Sequence, residues 1–300
     1  MSIARKLIPS GEETFPFKIQ ITTTAANTVW TTPLSNFGGL TPQCVIDWGD
    51  STGNSGLITS SSSISRIHTY VSPGTYTITI SGFMPGFTVN NLSSIRNLVT
   101  GIIQFGQVGL RALNFYGCVN LTSIPSSASL SAVGGYTGLN EVRTYASFMR
   151  GTRITSIQSD IFSFSPFATT FTDTFSSIPT ISTVPSGLFN SNTAATTFAS
   201  CFFGCTGLTS VPSTLFDLNT LVTNFSGTFR NCLALTNVLQ FTFNTSVTIF
   251  NNCYNMSTTS NALTGTAPEL WNRVPTPSGT DCFNNCVNLT NFAAIPLNFK

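Results

Sequence analysis

Phe202–Pro212 reads FFGCTGLTSVP, and twenty-seven residues later Phe229–Leu239 reads FRNCLALTNVL. The same frame, Phe-x-x-Cys or an apolar stand-in followed by an apolar residue and Thr or Ser, returns at Phe115, Phe148, Phe175, Phe250 and Phe283. Successive phenylalanines are 33, 27, 27, 27, 21 and 33 residues apart, so three central steps share one period and the outer steps gain or lose six residues. Fixed periods of this length belong to architectures in which each unit supplies one short strand and a return segment, and buries its apolar edge only against its neighbours. The repeat therefore predicts a stacked array in which no copy folds alone.

The aligned columns divide into inward and outward positions. Leu121, Ile154, Ile181, Leu208, Leu235, Met256 and Leu289 are expected to stack as one buried column, and Ile124, Ile157, Val184, Val211 and Val238 as a second. Between them lie Thr122 and Ser123, Thr155 and Ser156, Ser182 and Thr183, Thr209 and Ser210, Thr236 and Asn237, and Thr290 and Asn291. These polar pairs are expected to form the exposed side of a stacked sheet. Rows of identical hydroxyls suit weak multivalent contact with polysaccharide, which makes the ladder the candidate ligand-facing surface.

Only 7% of residues are charged, against about 25% in ordinary soluble domains. Solubility must therefore come from Ser, Thr and Asn, and no basic stripe is present to neutralise phosphates, which argues against nucleic-acid binding. Eight cysteines raise the question of disulfides or metal. Cys118, Cys205, Cys232, Cys253 and Cys286 fall in one repeat column where Gly151 and Ile178 stand in the other copies, so the column reads as a packing position for a small buried thiol. Cys201 and Cys282 precede it by four, with Thr174 and Thr228 as equivalents; this spacing is not that of a zinc knuckle. No metal or cofactor is expected.

Residues 14–90 have a different pattern. FKIQITTT from Phe17, CVIDWGD from Cys44, ISRIHTY from Ile64 and GTYTITISGF from Gly74 alternate apolar and polar residues between Gly, Ser, Pro and Asn, as short strands of a β-sandwich do. WGD at Trp48–Asp50, HTY at His68–Tyr70 and PGTYTITISG at Pro73–Gly82 resemble the PKD domain, an immunoglobulin-like sandwich; Ser51 stands where that family usually has Gly. The resemblance implies a structural Trp, Asp and Tyr, with His68 a hydrogen-bonded core residue and Asp47 and Asp50 capping turns. The repeats at Phe115, Phe202, Phe229 and Phe283 resemble BspA-like leucine-rich repeats, which implies attachment or binding rather than catalysis.

The fold expected is mainly β: an N-terminal arm (1–13), an immunoglobulin-like β-sandwich (14–90) and a leucine-rich-repeat-type solenoid (91–300). No Gly-x-Ser-x-Gly elbow, phosphate-cradling loop or His-Glu-x-x-His pair is present, and the chain has one histidine. No secretory signal or stretch of about 18 apolar residues is evident, so no membrane insertion is expected. These features predict a non-enzymatic bacteriophage virion protein, such as a capsid decoration protein, head fibre or tail-associated fibre, assembled in the host cytoplasm. Its expected partners are other virion proteins, copies of itself and host-surface polysaccharide; a cell-surface adhesin and a carbohydrate-active enzyme are the alternatives.

Overall fold

The computed structural model describes residues 15–90, 92–124 and 139–300. The protein is mainly β, with 21% strand and 7% helix, and the helical residues described are short 3-10 turns. The expected N-terminal arm (1–13) lies outside the described residues.

Four strands, β1 (Phe17–Thr23), β4 (Gln43–Asp47), β6 (Gly74–Phe83) and β8 (Val99–Gln104), form an antiparallel sheet in the order β4-β6-β1-β8. Alternation explains β1: Phe17, Ile19, Ile21 and Thr23 are buried, with half-buried residues between them, as the two-residue period of a strand requires. A second pair, β2 (Thr28–Thr31) and β5 (Ile67–Tyr70), carries Trp30, whose indole N–H donates to Thr32 Oγ1 at 3.0 Å. The expected strand from Ile64 begins later, because Ile64–Arg66 forms a 3-10 turn capped by Ser63. β8 lies beyond residue 90, so the N-terminal unit draws one strand from the segment that follows it.

The third sheet joins the two parts of the molecule. β3 (Leu34–Ser35) pairs antiparallel with β7 (Gly86–Thr88), and β7 pairs parallel with β9 (Ala112–Asn114). From Ala112 parallel bridges continue through Thr144, Thr170, Thr197, Asn224 and Ile249 to Ser278. Each coil of the repeat region is thus the next rung of a sheet that starts in the N-terminal unit, and one contiguous apolar core runs beneath it.

Backbone hydrogen bonds revise the alignment of two copies. The amides of Phe115, Met149, Phe175, Phe202, Phe229 and Tyr254 donate to the carbonyls of Phe148, Thr174, Cys201, Thr228, Cys253 and Cys282, each immediately before the next column member. The column is therefore Phe115, Met149, Phe175, Phe202, Phe229, Tyr254 and Phe283, with steps of 34, 26, 27, 27, 25 and 29 residues. Phe148 and Phe250 do not belong to it, and the 21-residue step vanishes. Phe250 instead stacks on Phe225 at 5.8 Å, and Tyr254 on Phe229 at 5.3 Å.

The neighbouring columns shift with it. Thr152, not Gly151, occupies the thiol position beside Cys118, Ile178, Cys205, Cys232 and Cys286, each of whose amides except that of Ile178 closes a turn onto the carbonyl three residues earlier. Gly151 has φ 66° and joins the left-handed column of Gly117, Ser177, Gly204, Asn231 and Asn285, where Gly is the residue of least strain. Cys253 belongs with Thr174, Cys201, Thr228 and Cys282. Met256 is buried, but Leu263 leads into the next rung as Leu235 does, and Val238 is half-buried while Leu239 is buried beside it.

Three aromatic columns fill the interior: Phe175–Phe202–Phe229 at 5.7 Å per step, Phe171–Phe198–Phe225 at 5.1 and 5.9 Å, and Phe162–Phe189–Phe216 at 5.5 and 5.7 Å. Gly279 interrupts the second column, and the Phe299 ring fills the space its side chain would need. Phe283 N–H donates to Phe299 O at 2.8 Å, so the C-terminal residues cover the last coil.

Candidate functional site

Thr122, Ser123, Thr155, Ser156, Thr183, Thr209, Ser210, Thr236 and Thr290 are exposed, while Asn237 and Asn291 are half-buried. The row does stack. Thr155 N–H donates to Thr122 O, Thr209 N–H to Ser182 O and Thr236 N–H to Thr209 O, and Thr183 bridges Ser210 in parallel. Thr290 and Asn291 do not follow Thr236 and Asn237 directly, because a rung at Thr264–Ala267 lies between them. Thr264 N–H donates to Thr236 O and Thr290 N–H to Gly265 O.

The hydroxyl protons of this row point along the stack. Thr209 Oγ1 donates to Ser182 O at 3.0 Å, Thr236 Oγ1 to Thr209 O at 2.9 Å, Thr264 Oγ1 to Thr236 O at 3.0 Å and Thr290 Oγ1 to Gly265 O at 3.2 Å. Asn237 donates to Val211 O at 3.0 Å and accepts from Val211 N–H at 3.2 Å; Asn291 makes the same two bonds with Ala267 at 3.1 and 2.9 Å. The amides thus imitate strand pairing with the coil before. From Thr209 onward these threonines and both Asn amides fasten coil to coil, and the face they leave to solvent offers hydroxyl lone pairs and methyl groups rather than free donors.

A second exposed row escaped the sequence reading. Thr169, Thr196, Thr223 and Thr248 donate their hydroxyls to Arg143 O, Thr169 O, Thr196 O and Thr223 O at 3.1–3.3 Å. Its signal was available in Ala168–Phe171 (ATTF), Ala195–Phe198 (ATTF), Val222–Phe225 (VTNF) and Val247–Phe250 (VTIF).

Inside, Asn192, Asn219 and Asn244 form a third ladder. Asn219 Nδ2 donates to Phe189 O at 3.1 Å and Asn192 O at 2.9 Å, and Asn192 and Asn244 repeat the pattern one coil away on each side. Arg273 ends it by donating to Asn244 O and Phe241 O at 2.9 and 2.6 Å. All eight cysteines are free and buried. Cys205 Sγ donates to Phe175 O and Cys232 Sγ to Phe202 O, each at 3.0 Å, and burial pushes the Cys205 thiol up to about 12. A thiol held neutral in this way is neither nucleophile nor metal ligand.

In the N-terminal unit, His68 Nε2 meets Asp50 Oδ2 at 2.7 Å and its ring stacks on Trp48 at 4.8 Å. Tyr70 lies edge-on to His68 and donates its hydroxyl to Trp48 O at 2.8 Å. Partial burial disfavours the Asp50 carboxylate, but hydrogen bonds from Thr52 and His68 outweigh it and hold the group below its ordinary value. Asp47 and Asp50 accept from the amides of Gly49 and Thr52, which are the turn-capping bonds expected. The cluster is a hydrogen-bonded network in which Thr52 Oγ1 also donates to Asp50 Oδ1 at 2.6 Å. Among the described residues, no three His, Cys, Asp or Glu side chains stand together to hold a metal. No protein-family model matches the chain, and no curated protein matches it.

Proposed function

We propose that this chain is a non-enzymatic structural component of a bacteriophage particle, a capsid decoration protein or a head or tail-associated fibre. In this reading the first unit is an immunoglobulin-like sandwich of the PKD type that docks on the particle, and the coils form a leucine-rich-repeat-type solenoid that projects from it. The observation that carries the reading is the parallel register running from β7 through β9 to Ser278. A sheet shared by both parts resists bending where a linker would not, and this suits a rigid spacer. The neutral Thr, Ser and Asn surface, with the donors of its threonines from Thr209 onward engaged between coils, supports a display role over catalysis.

Partners in this reading are other virion proteins and copies of the same chain. The test is mass spectrometry of density-purified particles, with electron microscopy of the same fraction. Peptides of this chain at a fixed stoichiometry to the major capsid protein are expected; their absence from every particle fraction overturns the proposal.

A further inference from the structure

One face of the coils differs from the hydroxyl rows. The residue after each member of the main column forms a straight file, because Gly117, Gly151, Ser177 and Gly204 donate their amides to Arg150 O, Ser176 O, Phe203 O and Arg230 O at 2.6–2.9 Å. Read along the stack, the file is Tyr116, Arg150, Ser176, Phe203 and Arg230. The Arg150 guanidinium lies 5.2 Å from the Tyr116 ring centroid, and Arg230 lies 5.8 Å from that of Phe203. Arg96, from the turn before β8, also sits over Tyr116, at 4.4 Å.

Two guanidinium groups on one ring repel each other unless an anion stands nearby. Arg150 has one, the Asp173 carboxylate at 3.2 Å. Among the described residues Arg96 makes no ion pair with a carboxylate; one of its terminal nitrogens donates to Asn90 O, and its Nε has no hydrogen-bond partner. Arg230 is exposed and likewise has no carboxylate within ion-pair reach. Three cations against one acid leave this strip with excess positive charge. Ser176, fully buried, stands between the two pairs in the file.

We propose that this strip is a binding site for an acidic polysaccharide, with its anionic groups on Arg96, Arg150 and Arg230 and its sugar rings against Tyr116 and Phe203. Guanidinium groups pair well with carboxylates, and aromatic rings supply flat apolar area beside them. Tyr116 and Phe203 are three coils apart, roughly 14 Å at the spacing of neighbouring strands, which suits an oligosaccharide rather than a single ion. The threonine rows lack this combination. The proposal holds whether or not the chain belongs to a virion.

The test is calorimetric titration of the full-length protein with alginate oligosaccharides, a polyuronate, and with dextran of matched length as the neutral arm. Alginate is expected to bind and dextran not. Arg230→Ala, which breaks no ion pair, is expected to weaken alginate binding about tenfold, the worth of one charge-assisted hydrogen bond. Arg230→Lys should recover only part of it, since the planar group is lost. Lys18→Ala removes the same charge from β1 and should leave binding unchanged, and Thr236→Val should do likewise. Equal binding of dextran, no binding of either glycan, or equal weakening by Lys18→Ala and Arg230→Ala would each overturn the proposal.

Discussion

Asn219 shows how much of this structure rests on side chains that replace backbone pairing. Its amide nitrogen donates to two buried carbonyls of the coil before it, so truncation removes two buried hydrogen bonds, while Phe189 O and Asn192 O each keep one backbone donor, from Asn192 N–H and Ala195 N–H. Asn219→Ala is expected to cost about 1–3 kcal/mol, at about 0.5–1.5 kcal/mol for each of the two hydrogen bonds lost. Thr223→Val, which removes an exposed hydroxyl bond at 3.3 Å, should cost under about 1 kcal/mol. Urea titration of the two variants separates them, and equal losses would contradict the internal ladder. The thiols give a pH dependence. Burial raises Cys44, Cys118 and Cys205 from 9.0 to about 12, and raises Cys201, Cys232 and Cys282 as well. Above pH 9 the unfolded chain releases these protons while the folded chain retains them. Stability is therefore unaffected by the thiols below pH 9 and falls from there towards pH 12, by up to about 1.4 kcal/mol per pH unit for each thiol. Chemical denaturation at pH 8, 9.5 and 10.5 measures the decline, which should shrink in a Cys205→Ala background.

At the scale of one coil, the aromatic columns set the register. Tyr254 stacks between Phe229 and Phe283 at 5.3 and 5.8 Å, and its hydroxyl accepts from Leu239 N–H at 2.9 Å. Tyr254→Phe is expected to cost about 1 kcal/mol for the lost hydrogen bond, and Tyr254→Ala about 3–5 kcal/mol, as much as Phe229→Ala. Thermal denaturation reads both, and a mild Tyr254→Ala would contradict the column. The repeat itself was legible because Phe, Leu and Thr recur where burial demands them. The misplaced copies have a physical cause. At Phe148 a bulky ring occupies the position filled elsewhere by Thr174 and Thr228, and the main column accepts Met149; at Phe250 an Asn-Asn-Cys run imitates the run at Phe283. A sequence frame weighs identity, whereas the coil weighs circumference and hydrogen-bond closure. The exposed hydroxyl row was readable in part, but the direction of its protons was not, because exposure does not show which carbonyl lies one coil below. The arginine file was hidden for the same reason: Arg96, Arg150 and Arg230 are distant in sequence and meet only through stacking.

For the whole molecule, one register joins the N-terminal unit to every coil, passing from β7 to β9 and on to Ser278. Between Phe229 and Phe283 the sequence and the structure disagree: a frame fixed on Phe250 pairs Thr236 with Ser257. The structure pairs Thr236 with Thr264 instead, through both the amide and the hydroxyl of Thr264, and all three residues are exposed. Neighbouring rungs lie within the roughly 4.4–6.8 Å between Cα atoms that a disulfide spans. The native thiols are all buried, so two engineered surface cysteines should react alone. The most direct measurement is oxidative cross-linking of Thr236→Cys/Thr264→Cys beside Thr236→Cys/Ser257→Cys, read by mass spectrometry of the linked peptides under native conditions. An unbroken stack predicts rapid, near-complete linkage of the first pair and none of the second; linkage of the second pair with none of the first would contradict it.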